Sequence, residues 1–277
     1  MAEQRIGISV VIPAYNEAAR LPTFLTSVRD YLVGRYPDRH EVIVVDDGST
    51  DGLVGILEGF AADWPPLRWI QHARNQGKGA AVRTGVLAAQ GRLVLFADAD
   101  GATPIAEEAQ LAQAIQAGAD LAIGSRLLAS ADARRLRGRL RGLAGRVFAA
   151  VVRRLLGLSV QDTQCGFKMF RDEVAGALFS RAREAGYLFD LELLSLAQRL
   201  GYRTVEVPVS WTEVPGSHLS LARSLPRILR DLWRLRRRLR EDPGAQPPAR
   251  KAVVAGPAFG GEADDCSALR LADDLQP

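Results

Sequence analysis

Between Ile8 and Arg126 the chain repeats one arrangement. A short apolar, often β-branched run ends in a polar cluster, and a stretch with apolar residues at helical spacing follows. Residues 8–13, 41–45, 68–71, 93–97 and 120–124 read as strands. Leu21, Leu25, Val28 and Leu32 mark a helix over 18–33, a second helix runs to about Ala62 with Thr50 or Asp51 as its cap, and others cover 78–89 and 105–117. Strands alternating with helices at this spacing predict an α/β fold, a doubly wound, mostly parallel sheet with helices on both faces. Such sheets bind ligands beyond the carboxyl ends of their strands. The polar clusters after the strands are therefore the place to look for chemistry.

The sharpest cluster is Asp98-Ala99-Asp100, where the run Leu93 to Ala97 surfaces. Side chains alternate along an extended chain, so the two carboxylates point to one side. Two converging carboxylates suit a divalent cation that holds a phosphorylated substrate. The plain alternative is a strand end passing into an Asp/Gly turn. Two other nucleotide motifs are excluded. The first turn, Pro13 to Glu17, lacks the glycines of a dinucleotide fingerprint, and Gly77-Lys78-Gly79 is no P-loop because His72 stands where that motif needs glycine.

Composition narrows the classes further. The two cysteines, Cys165 and Cys266, and the three histidines, His40, His72 and His218, form no disulfide or metal pattern. No apolar run is long enough to span a bilayer. The N-terminus shows no signal-peptide pattern, so a cytoplasmic location is expected. The net charge of +4 comes almost entirely from arginine, whose fork suits phosphate. Arginines concentrate in two amphipathic stretches, 134–156 and 221–240, which predict helices lying on the inner face of a membrane, against anionic headgroups. A helix packed on the domain with a solvated arginine face is the alternative. Residues 1–241 form the expected domain, and 242–277, rich in Pro, Ala, Gly and acids, read as a disordered tail with no catalytic role.

The motifs Val10 to Glu17, Val44 to Asp51, Asn75 to Gly79 and Asp98-Ala99-Asp100 resemble family 2 glycosyltransferases of the GT-A fold. Phe96 to Thr103, Gly124-Ser125-Arg126, Asp162 to Lys168, Phe189 to Leu194 and Val209 to Ser217 are similar to a narrower group, the dolichyl-phosphate β-glucosyltransferases, themselves related to polyprenyl-phosphate mannosyltransferases. The resemblance implies transfer of glucose from UDP-glucose to a polyprenyl phosphate with inversion. It implies that Pro13, Tyr15 and Glu17 flank the nucleoside, that Asp46 contacts the base with Asp47 close by, and that Lys78 reaches base or diphosphate. It also implies that Asp98 and Asp100 hold Mg²⁺ or Mn²⁺ against the diphosphate. Ala102 stands where many mannosyl relatives carry a third metal-contacting Gln or Asn. A phosphate monoester acceptor needs cations to position it, and Arg126, Lys168 and the arginines of 134–154 are the candidates. A sugar-hydroxyl acceptor would need a base, for which Asp190 or Glu192 is available. Trp211 and Glu213 are candidates for shaping the pocket. The expected partners are a nucleotide sugar, a polyprenyl phosphate and a membrane surface, with no nucleic acid. GDP-mannose as donor, a sugar hydroxyl as acceptor, and a non-catalytic membrane- or nucleic-acid-binding module with a vestigial site remain the alternatives.

Overall fold

A computed structural model describes residues 5–128, 152–212 and 230–239. Its centre is a seven-stranded sheet in the order β3-β2-β1-β4-β6-β5-β7. The strands are β1 (Ile8–Ala14), β2 (His40–Asp46), β3 (Leu67–Gln71), β4 (Leu93–Ala97), β5 (Leu121–Ser125), β6 (Phe167–Arg171) and β7 (Thr204–Pro208). The helices are α1 (Leu21–Arg35), α2 (Leu53–Asp63), α3 (Lys78–Ala88), α4 (Glu108–Gln116), α5 (Asp172–Phe179) and α6 (Phe189–Arg199). Residues 152–156 and 230–239 are also helical. All pairings are parallel except those of β6, which runs antiparallel to β4 and β5.

The near-continuous apolar character of β1, β2 and β4 follows from burial on both sheet faces. β1 to β3 wind one way, and the chain then crosses back to β4. Right-handed crossovers put α3 on the face opposite α1 and α2 when the direction reverses. The reversal leaves β1 beside β4, which is the switch point where open α/β sheets bind ligands.

Two local expectations change. Pro13 does not close β1; the strand continues through Ala14, paired with β2. β4 pairs only with Ile8–Val11, so at Pro13 the strand has one neighbour and a missing N–H is tolerated. Nor do Thr50 and Asp51 cap α2 in the usual way. Its N-cap is Gly52 at φ 84°, while the Asp51 carboxylate accepts from the N–H groups of Leu53 and Ala18, and the Thr50 N–H donates to Asn16 Oδ1. These bonds stitch the β1–α1 and β2–α2 turns together.

The expected helix over 134–156 is described only at 152–156, and the one over 221–240 only at 230–239; the rest of both, the tail 242–277, Glu213 and His218 lie outside the described residues. In 230–239, Leu232 and Leu235 are buried against the core. The outward side carries Trp233, 62% exposed, with Arg237 stacked 5.9 Å from its ring centre. Among the described residues no helix is long and apolar enough to cross a membrane.

Candidate functional site

The polar residues after β1, β2, β3, β4 and β5 meet along one edge of the sheet. Tyr15 and Asn16 follow β1, and Tyr15 is exposed. Glu17 grips Arg20 through a two-point contact, Nε to Oε2 at 2.7 Å and Nη2 to Oε1 at 2.5 Å. The neighbouring aspartates after β2 are held differently. Asp47 accepts the N–H groups of Gln76 and Gly77 at 2.9 and 2.8 Å and pairs with His72 Nδ1 at 2.7 Å; the other ring nitrogen meets Thr84 Oγ1. Asp47 is thus spent on shaping the turn before Lys78, in which Gly77 adopts φ 105°. Asp46 accepts the Ser49 N–H at Oδ1 and the Gln71 side-chain amide at Oδ2. His40 and His72 are both buried polar groups with partners.

Beyond β4, Asp98 and Asp100 are both partly exposed and Ala99 between them is buried, as alternation requires. Gly166 lies so close that a Cβ there would overlap the Asp98 carboxylate, and the Asp98 N–H donates to the Gly166 carbonyl. Lys78 Nζ sits 2.6 Å from Asp98 Oδ1. That contact is an ion pair onto an oxygen buried from solvent. Desolvation favours the neutral amine of Lys78; the charges of Asp98, Asp190 and Asp100 outweigh it and hold the ammonium above the ordinary lysine value. Asp100 Oδ1 accepts the Ala102 N–H at 3.1 Å. Hard carboxylate oxygens have the chemistry of a hard-cation site. No group of three or more His, Cys, Asp or Glu arranged for a metal occurs among the described residues.

Behind this pair lies a second one. Lys168, on β6, is fully buried; its ammonium pairs with Asp190 Oδ1 at 2.6 Å and donates to the Cys165 carbonyl at 2.5 Å. Lys168 therefore differs from the expected cation facing an acceptor phosphate. The antiparallel β6 register sets it opposite Phe96, inside the sheet. Asp190, expected as an optional base, is buried against it. Burial pushes the Asp190 carboxyl above the usual range, opposed by Lys168 and Lys78. Both ammonium groups lie close to the Phe96 ring, Lys78 Nζ 5.4 Å and Lys168 Nζ 6.0 Å from its centre. Glu192 accepts the N–H groups of Arg183 and Glu184, and so holds the turn whose Ala185 carbonyl accepts from Ala80 on α3.

Arg126 follows β5 and meets Asp162 in a bidentate clasp, Nε to Oδ2 and Nη2 to Oδ1, both 2.8 Å. Asp162 also accepts the Arg126 N–H, and its own N–H donates to Glu206. Burial penalises both charges, yet each raises the other's stability: the guanidinium is held above its ordinary range and the Asp162 carboxyl below. The Arg126 guanidinium lies 5.7 Å from the Trp211 ring centre. Sequence reasoning named Arg126 and Trp211 but gave no role to Asp162, Phe96 or Gln71. Asp162 stood inside a recognised motif, but its partner is 36 positions away and no spacing rule links them.

A family model described as glycosyl transferase family 2 matches residues 9–179. A dolichyl-phosphate beta-glucosyltransferase from Saccharomyces cerevisiae is 37% identical over 248 residues, covering 83% of this chain and 74% of the yeast protein. One of the same name from Drosophila melanogaster is 39% identical over 240 residues, covering 82% and 74%. Among solved structures, glucosyl-3-phosphoglycerate synthase from Mycobacterium tuberculosis, in complex with Mn²⁺, UDP and glucosyl-3-phosphoglycerate, superposes with a TM-score of 0.62 at 25% identity, covering 83% of this chain and 80% of that one.

Proposed function

The chain belongs to glycosyl transferase family 2, and on that premise we propose that it moves glucose from UDP-glucose to a dolichyl-type polyprenyl phosphate, inverting the anomeric carbon. What supports the reading most directly is the meeting of Asp98, Asp100, Lys78 and Arg126 along the carboxyl edge of the sheet, in a chain this similar to enzymes named for that reaction. In this reading Asp46 takes the base, Tyr15 covers the nucleoside beside Pro13 and Glu17, and Lys78 faces the diphosphate. Asp98 and Asp100 would hold a divalent cation, Mg²⁺ or Mn²⁺, which offsets charge developing on the leaving diphosphate. Asp47 keeps the Lys78 turn in place.

An acceptor phosphate oxygen forms the new bond to the anomeric carbon on the face opposite the diphosphate, and UDP departs with the electron pair of the broken bond. A phosphate monoester has a second pKa of about 6 and is already dianionic at neutral pH, so no side chain has to remove a proton. Arg126, clamped by Asp162 along one edge of its guanidinium, positions the acceptor with the other. Lys168 and Asp190 serve as the charged floor under Phe96 rather than as acceptor contacts. Access to a lipid acceptor requires a membrane surface, and the arginine-flanked Trp233 of 230–239 suits an interface with anionic lipid.

The test is direct. The enzyme is incubated with UDP-glucose, Mg²⁺ or Mn²⁺ and a polyprenyl phosphate, and a β-linked glucolipid is sought; GDP-mannose and a free sugar run in parallel. Glucolipid from UDP-glucose alone, lost in Asp100→Ala, is expected. Full activity in Asp100→Ala removes the metal role, and a preference for GDP-mannose or a sugar acceptor replaces the substrate assignment.

A further inference from the structure

The two aspartates after β2 are adjacent in sequence, buried, and satisfied by different kinds of donor. Every oxygen of Asp47 is held by main-chain N–H groups or by the buried His72. Asp46 Oδ1 is likewise fixed by the Ser49 N–H at 2.9 Å. Asp46 Oδ2 instead receives Gln71 Nε2 at 3.1 Å, from an exposed and rotatable side chain. The parallel register sets Asp46 beside Gln71 as direct neighbours at the ends of β2 and β3. Asp46 itself has 0% exposure, so a ligand reaches its carboxylate only when a covering side chain moves aside.

We propose that Gln71 is a stand-in for the donor base. Its amide N–H occupies the lone pair of Asp46 Oδ2 that the imide N–H of uracil takes, and the nucleotide binds by exchanging one for the other. The chemistry matches on both sides. A buried carboxylate cannot be left without donors at low cost, so a site that must also be open to a ligand needs a replaceable one. An amide N–H and an imide N–H are alike as donors, and the displaced Gln71 is already at the surface, where water can satisfy it. The exchange selects for bases that present a ring N–H donor and against those that present a ring acceptor at that position. The proposal rests on the reading that Asp46 takes the base.

Titration calorimetry with UDP and with N3-methyl-UDP, in the presence of Mg²⁺, separates the two ideas. Variants Gln71→Ala and Gln71→Met remove the competing donor; Met keeps the length of the side chain. Both are expected to bind UDP about 3- to 10-fold more tightly, as removal of one competing hydrogen bond of ordinary net strength implies. N3-methyl-UDP, which lacks the donor, should bind weakly to wild type and gain far less from either substitution. Equal or weaker UDP binding in both variants, or an equal gain for the methylated nucleotide, overturns the proposal. Asp46→Asn is the control on the premise. Unchanged UDP affinity in that variant removes Asp46 from the base site, whatever Gln71 does.

Discussion

The β2 end of the site and the β4–β6 end are built from the same residue types by opposite means. Around Asp46 and Asp47 the carboxylates are held largely by backbone N–H groups of nearby turns. Under Asp98 the carboxylates are met by lysines, in the pairs Lys78–Asp98 and Lys168–Asp190. Main-chain donors fix geometry and bring no net charge. Side-chain pairs bring charge that depends on both members being present. The first arrangement suits a rigid shape that recognises a base; the second suits a place where charge arrives and leaves with a diphosphate.

Removing one member of the most deeply buried pair is the largest perturbation. Lys168→Met leaves Asp190 buried without its partner and should cost about 3–5 kcal/mol of stability, read by denaturant unfolding. Adding Asp190→Leu should recover most of that loss, which a contact with acceptor phosphate would not explain. Next is Asp98→Asn, which preserves shape and removes charge; turnover should fall roughly 100- to 1000-fold with the unfolding midpoint little changed. Asp47→Asn tests the other end. An amide turns an N–H₂ toward one of the two main-chain donors, so a stability loss of about 1–3 kcal/mol is expected, with a raised KM for the nucleotide sugar from a loosened Lys78 turn.

Two smaller effects sharpen the contrast. The Asp162 carboxyl is held below its usual range in the folded protein. Its contribution to stability is then complete above the unfolded value of about 3.9 and is lost as pH falls through that value toward the native one. Melting temperature against pH should lose part of this acid limb in Asp162→Asn. Cys165 is buried and its thiol is pushed up to about 12, chiefly by desolvation. Mass spectrometry after brief iodoacetamide treatment at pH 8 should find Cys165 unmodified in the folded protein and alkylated after unfolding.

The alternation of apolar runs and helical spacing was enough to read the sheet, because buried parallel strands and amphipathic helices leave a local imprint. The ends of those runs also put Asp46, Asp98, Asp100 and Arg126 at strand termini, where such sheets bind ligands, and the structure has them there. What was not legible depends on pairings across the sheet. That β6 enters between β4 and β5 in the opposite sense is not written into Phe167–Arg171, and this insertion is what turns Lys168 inward to Asp190. The resemblance likewise put Asp47 close to the base but gave no sign of its partners Gln76 and Gly77, which are reached only through the turn after β3. Gln71 gave no signal at all; its relation to Asp46 exists only in the β2–β3 register.

The clasp between Arg126 and Asp162 joins residues 36 positions apart, one at the end of β5 and the other just ahead of β6. It works as a buckle between the end of β5 and the lead into β6, which are fastened by a charged pair as well as by the sheet ladder between the two strands.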